Sequence, residues 1–171
     1  TRYCINSVAL EFVPFENISN TEEIILAAGC FWGVEYHFGK LNGVLKTEVG
    51  YTGGFVDDPS YEQVCNSNTS HVEAVRIIYN PKIIDYRYII QFFFEIHDFQ
   101  QEDGQGGDIG YQYLSNIFYY SEVQKKLASD IIHQLQDMSY KVATRLKPVT
   151  TYWKAEDYHQ KYYNKNGQLP Y

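Results

Sequence analysis

The chain has 171 residues, 44% of them hydrophobic, which is enough for one domain with a core and too little for two ordinary ones. Its 14 basic and 21 acidic side chains leave a formal charge of −7, which argues against a surface that tracks nucleic-acid phosphates. Three cysteines cannot all pair within one chain, and no run approaches the ~20 apolar residues of a membrane span, so a disulfide scaffold and an integral membrane protein are set aside.

Residues 1–22, with Pro14, Asn17 and Asn20 and no clear period, read as an N-terminal arm, and residues 23–171 as a single domain. Ile24 to Ala28 is a short apolar run closed by Gly29, the pattern of a buried strand. Phe31, Val34, Phe38 and Leu41 then recur on one helix face, so Cys30 stands where a strand ends and a helix begins. Asn42-Gly43 ends that helix. Val44 to Tyr51 reads as a strand, and Thr52 to about Ser70 as a long loop. In His71 to Tyr79, Val75, Ile77 and Tyr79 share one side, and period two places Glu73 on that same apolar side.

Past Asn80-Pro81, Asp85 can cap a helix with Ile89, Phe93 and Ile96 on one face. Asp98 to Gly110 is a loop whose Gly104, Gly106, Gly107 and Gly110 permit tight turns or close approach. Tyr113 to Tyr120 reads as a strand. Ser121 with Gln124 makes a capping box for a helix with Val123, Leu127, Ile131, Leu135 and Met138 inward. Arg145 to Tyr152 adds a strand and Ala155 to Tyr163 a short helix. The order strand, helix, strand, strand, helix, strand is that of split β-α-β folds. The expected class is α+β, a ferredoxin-like α/β plait with a mixed, largely antiparallel sheet and wrapping terminal segments.

An unpaired cysteine in an apolar segment is most often a small buried hydrophobe. The position of Cys30 argues otherwise, because a helix N-terminus presents free N–H groups and partial positive charge, which favour a nucleophilic thiolate. Glu73 on the apolar face of a strand pays a desolvation cost that raises its pKa, so it can stay protonated and act as a general acid; the plainer reading is a carboxylate paired with a basic side chain at a sheet end. Asp108, taken alone, is a turn residue. The flanks of Cys30, Gly29-Cys30-Phe31-Trp32-Gly33, set two large aromatics beside it.

The stretch Gly29-Cys30-Phe31-Trp32-Gly33-Val34-Glu35, followed by Gly50-Tyr51-Thr52-Gly53-Gly54, resembles the peptide methionine sulfoxide reductase A family. Tyr61-Glu62-Gln63-Val64-Cys65, His71-Val72-Glu73-Ala74-Val75-Arg76, His97-Asp98 and Gly107-Asp108-Ile109-Gly110-Tyr111-Gln112-Tyr113 follow in family order, so the likeness runs from about Glu23 to Gln160. It implies reduction of the S epimer of methionine sulfoxide, peptide-bound or free. By similarity Cys30 is the nucleophile and Glu73 the acid on the sulfoxide oxygen. Phe31 and Trp32 wall the methyl group, Tyr61 and Tyr113 hydrogen-bond the oxygen, and Asp108 helps orient the site. The chemistry agrees, since a sulfoxide sulfur is a poor electrophile until its oxygen is protonated or strongly hydrogen-bonded. Gly107 and Tyr111 depart from the family's more usual Asn and Thr.

Attack leaves Cys30 as a sulfenic acid that must be reduced. Many family members use cysteines in a C-terminal tail, whereas here no cysteine follows Cys65, and the sequence ends Gly167-Gln168-Leu169-Pro170-Tyr171. Cys65 matches a family position without a resolving role. Cys4 is a possible internal resolving thiol, but an external thiol, thioredoxin, glutaredoxin or glutathione, needs no second cysteine and is the favoured route. No bound cofactor and no metal are expected, because the five histidines lack ligand spacing. The expected enzyme is a monomer without nucleic-acid or membrane partners, in the cytoplasm, with a removed targeting segment left open by the start at Thr1. Two rivals stand beside this reading: a Cys-dependent acyl-transfer hydrolase using His71 or His37 as base, and an aromatic-rich, non-catalytic binding module. Clusters such as Phe92-Phe93-Phe94 and Tyr162-Tyr163 are read as core and edge packing.

Overall fold

The computed structural model describes residues 20–66 and 68–170, and its regular structure begins with β1 (Glu22–Ala27). Ile24 and Leu26 point into the main core, while Ile25 and Ala27 point into a smaller cluster on the other face. A strand buried on both faces has no polar side, which is why its sequence is a continuous apolar run rather than an alternation. The other strands are β2 (Val44–Thr52), β3 (Val72–Tyr79), the short β4 (Gly104–Gln105) and β5 (Asp108–Ile109), β6 (Asn116–Tyr119), β7 (Arg145–Pro148) and β8 (Tyr152–Lys154). Six of them form one sheet in the order β7-β6-β1-β3-β2-β8, and β4 pairs with β5 separately. Within the large sheet every pairing is antiparallel except β6 with β7. The fold is therefore α+β with a mixed, mostly antiparallel six-stranded sheet.

The helices are α1 (Phe31–Phe38), α2 (Tyr61–Asn66), α3 (Tyr86–Glu95), α4 (Glu122–Asp137) and α5 (Tyr162–Asn166). Phe31, Val34 and Phe38 of α1, Ile89, Ile90 and Phe93 of α3, and Ala128 and Ile131 of α4 all join the main core, so these three helices cover one face of the sheet. Among the described residues the opposite face holds the smaller cluster, closed by Leu114, Val149 and Tyr152. Asp85 Oδ1 accepts from Tyr88 N–H at 2.7 Å and opens α3. Ser121 Oγ accepts from Gln124 N–H, and Gln124 Oε1 returns to Tyr120 N–H, one residue outside the expected capping box.

Several expectations need correction. The loop from Thr52 to Ser70 contains α2, too short a helix to carry a readable apolar period. Val123 and Met138 of the expected inward face are 69% and 65% exposed, and Gln124 is buried instead. At 16 residues α4 is about 24 Å long, whereas β6 and β7 have 4 residues each. The single strand expected over Arg145 to Tyr152 is two strands on opposite sheet edges: the chain leaves β6 after the Val149 N–H bond to Tyr119 O, and Thr52 Oγ1 of β2 donates to Thr151 O at the start of the second pairing. Tyr113 lies in a 3-10 turn (Tyr111–Tyr113) rather than a strand, and the helix expected over Ala155 to Tyr163 is mostly turns, with α5 starting only at Tyr162. The arm, apart from Asn20 to Glu22, lies outside the described residues, as does Cys4. Among the described residues no helix is long and apolar enough to cross a membrane.

Candidate active site

The site is built at the β1–α1 junction. Gly29 turns the chain with φ +87°, and a Cβ there would stand 2.6 Å from the Gln105 side chain, so only glycine allows the glycine-rich loop to press against the strand end. Cys30 follows as the N-cap of α1, but its side chain does not cap the helix. Glu73 does: its Oε2 accepts the Phe31 N–H at 3.0 Å. Glu73 is 1% exposed and projects from β3 on the core face, as its period-two position implies. Nucleophile candidate and acid candidate thus meet at one helix end.

Burial pushes the Glu73 carboxyl up to about 8; the Phe31 N–H pulls it down and the charge of Asp108 pushes it further up. The Cys30 thiol is pushed up to about 12, first by burial and then by the Glu73 carboxylate. The N–H groups of Trp32 and Gly33 act in the opposite direction and are outweighed. This corrects the expectation of a thiolate favoured by the helix N-terminus, because desolvation exceeds the helix-end contribution. In the resting site at neutral pH the thiol is protonated and the carboxyl is mainly so.

Phe31 is buried, its ring 5.8 Å from Tyr51 and 5.1 Å from His159. Trp32 is half-buried, donates its indole N–H to His159 Nδ1 at 3.0 Å, and lies flat on Tyr162 with centroids 3.7 Å apart. Tyr61 opens α2 and donates its backbone N–H to Glu156 Oε1 at 2.9 Å. Burial and the charge of Glu73 raise the pKa of Tyr61, and they raise that of Tyr113 to about 12, with smaller contributions from Cys65, Asp108 and Cys30. Tyr113 therefore stands within electrostatic reach of nucleophile and acid together. Asp108, on β5, shares a cleft of about 190 Å³ with Cys30, Gly33, His37, Gln105 and Tyr163. The structure thus gathers Cys30, Phe31, Trp32, Tyr61, Glu73, Asp108 and Tyr113 around one helix end. A thiol, a neutral carboxylic acid and two phenols set among aromatic rings can deliver a soft nucleophile and protons to one polar, methyl-bearing group.

The model of the peptide methionine sulfoxide reductase family matches residues 22–171. The chain belongs to that family. It is 43% identical over 159 residues, 91% of this chain and 85% of the other, to the peptide methionine sulfoxide reductase MsrA of Methanosarcina acetivorans. It superposes on reduced Mxr1 from Saccharomyces cerevisiae with a TM-score of 0.84 and 34% identity, covering 95% of this chain and 93% of that one. Mxr1 in complex with Trx2 gives a TM-score of 0.59 and 26% identity, with 90% of each chain covered. The enzyme reduces methionine sulfoxide to methionine.

Within this reductase the residues outside the motifs sort by their bonds. His71 spends both ring nitrogens on the loop before it, accepting from Gly54 N–H at 3.1 Å and donating to Val56 O at 2.7 Å, so it is not free to serve as a base. His97 bridges Phe93 O and Ser115 Oγ, and burial lowers its pKa to about 4. The two departures from the family pattern are accommodated: a side chain at Gly107 would meet open space, and Tyr111 turns outward with Arg145 over its ring. Glu156, His159 and Tyr162 are part of the site and were not singled out by sequence reasoning. The i, i+3 spacing of Glu156 and His159 beside the aromatic run Tyr158 to Tyr163 was the available signal; Tyr162, read as packing, stacks on Trp32.

Proposed function

We propose that Cys30 attacks the sulfoxide sulfur of methionine-S-sulfoxide, peptide-bound or free, while neutral Glu73 supplies the proton to its oxygen. Phe31 and Trp32 hold the methyl group, and Asp108 orients the cleft. Tyr61 and Tyr113 hydrogen-bond the oxygen. The reaction releases methionine and converts the Cys30 thiol to a sulfenic acid, the oxygen passing in balance from substrate sulfur to cysteine sulfur. Two equivalents of an external thiol then return the thiol, water and a disulfide. Thioredoxin is the favoured reductant because the relative Mxr1 forms a complex with Trx2; glutaredoxin and glutathione have the same chemistry.

The observation that carries this reading is the Phe31 N–H bond to Glu73 beside Cys30, with burial keeping that carboxyl protonated up to about pH 8. A protonated acid is what a sulfoxide oxygen requires, and the acyl-transfer rival lacks its base, because both ring nitrogens of His71 are already engaged. The reading extends to one catalytic domain over 23–171 after an arm over 1–22, working as a monomer. The order β6-β1-β3-β2 with antiparallel pairing supports a ferredoxin-like plait for the inner strands. Unpaired Cys30 and Cys65 fit a reducing, cytoplasmic setting. Intact mass spectrometry after mixing reduced protein with each resolved epimer tests it. One methionine released per chain, with oxygen gained at Cys30, is expected for the S epimer alone; release from the R epimer, or none, would sink the assignment.

A further inference from the structure

We infer that Met138 is a site of hydroperoxide oxidation on this enzyme, and that its S-sulfoxide is returned to methionine by Cys30 of a second copy of the chain. This rests on the reading of Cys30 and of the S epimer given above. Met138 is the single methionine of the sequence. It closes α4 as the C-cap and is 65% exposed, although the apolar period of that helix would turn it inward. There it lines a surface groove of about 510 Å³ with Phe94, Phe99, Leu135 and Tyr140. A thioether reacts with a hydroperoxide without first losing a proton, whereas a cysteine reacts as its thiolate. Burial pushes the Cys30 thiol up to about 12 and raises that of Cys65 as well, so both are protonated at neutral pH. Among the described residues the Met138 thioether is therefore the sulfur that keeps its reactivity in the resting protein.

The steps balance. The sulfide takes one oxygen from the hydroperoxide, which leaves as water or an alcohol, and an exposed sulfide offers both lone pairs, so R and S sulfoxides form together. Cys30 of the second copy takes the oxygen from the S epimer, giving methionine and a sulfenic acid, and two thiols then restore the cysteine with release of water and a disulfide. Each turn consumes one hydroperoxide and yields one disulfide. The R epimer leaves the cycle. The intact fold holds Met138 apart from its own Cys30: Ala128 and Ile131 fix α4 in the core, Gln134 O holds the Met138 N–H at 3.1 Å, and the groove shares no lining residue with the Cys30 cleft. Toward another molecule the position is open. Ser139 follows in the left-handed region with φ +70°, and no regular structure runs from Tyr140 to Thr144, so the thioether stands at a corner of the chain.

The tryptic peptide from Leu127 to Lys141 carries Met138 and no cysteine, so oxygen gained there reports this residue alone. Folded Cys30→Ser protein is treated with hydrogen peroxide, freed of it, and incubated with dithiothreitol, with and without a catalytic amount of the parent enzyme. A gain of about 16 Da on that peptide is expected, persisting with dithiothreitol alone. Added parent enzyme should lower it by about half, the R epimer resisting further enzyme. In peroxide-treated parent protein, tenfold dilution should lengthen the half-time of repair about tenfold, because the two copies must meet. No gain at a peroxide dose that oxidises a short methionine peptide, or a gain that parent enzyme leaves unchanged, would overturn the inference. A half-time indifferent to dilution would overturn the role of the second copy. A short methionine-S-sulfoxide peptide run in parallel separates the two readings. If it is reduced and Met138 is not, only this inference fails; if neither is reduced, the assignment of Cys30 itself fails.

Discussion

Two of the stretches of chain that line this site are held by different means. The β1–α1 junction is a local structure: Gly29 turns it, Cys30 begins the helix, and Phe31 and Trp32 come within one turn. The segment from Glu156 to Tyr162 has little regular structure and is fixed by side chains reaching across the fold. Glu156 accepts from Tyr51 O–H and Tyr61 N–H, His159 accepts from Trp32, and Gln160 bonds both Val49 N–H and Val49 O. Lys161, in the left-handed region, donates its backbone N–H to buried Glu35 at 2.7 Å and pairs with the same carboxylate through Nζ. In the proposed reaction the first stretch carries the nucleophile, and the second braces the aromatic rings beside it. Changes in the two should therefore fail differently, in the chemical step for one and in binding and stability for the other.

The largest effect belongs to the junction. Cys30→Ser should release no methionine above background in a single turnover while keeping its fold, as no other described side chain takes its place. Glu73→Gln should come next, lowering the reduction rate by about 10²- to 10⁴-fold, the usual range for a lost general acid. In the parent, single-turnover reduction should fall as pH rises through about 8, because the acid form of Glu73 is consumed there. The same shift has a stability consequence. A carboxyl with a folded pKa raised from 4.5 to about 8 favours the native state most below its unfolded value, and that advantage is lost as pH rises to about 8. Each unit corresponds to about 1.4 kcal/mol. Glu73→Gln, which still accepts the Phe31 N–H, should therefore melt higher than the parent at pH 8 while being nearly inactive, as read by paired denaturation and turnover measurements. Equal melting temperatures would mean that the acid costs the fold nothing.

The clasp should give smaller and different losses. Glu35→Ala removes a carboxylate only 2% exposed that holds Lys161 N–H, Lys161 Nζ and Thr47 Oγ1. Chemical denaturation should show a loss on the order of 3 kcal/mol, reduced from the range for fully buried pairs because Lys161 Nζ is partly solvated. At temperatures where the variant is folded, KM should rise more than kcat falls. A pure kcat defect would break the division drawn between the two stretches. Tyr111→Thr, at an outward-facing position beside Asp108, should change stability by less than about 0.5 kcal/mol and turnover by less than twofold.

The same division explains what could be read in the sequence. The apolar run from Ile24 to Ala28 and the alternation that carries Glu73 inward are short-range patterns, and they place Cys30 at the β1–α1 junction and Glu73 on the core face of β3, where the structure has them. The Tyr61 helix is only 6 residues long, too few to establish a period, so the element presenting a candidate oxygen ligand was not legible. Cys30 was placed correctly, but its proton affinity was not, because burial is a property of the assembled fold and not of a helix end. His159 and Trp32 are 127 residues apart, and no local pattern records a hydrogen bond over that separation.

The Glu73 cap on α1 also bears on the moment after proton transfer. A carboxylic acid that gives up its proton in a water-poor site normally leaves behind a charge that nothing nearby offsets. Here that charge would appear on a carboxylate already accepting the Phe31 N–H at the positive end of a helix. No group has to move and no solvent has to enter before the new anion is stabilised. In the proposed reaction, the helix that begins at the nucleophile also serves as the counterion of the spent acid.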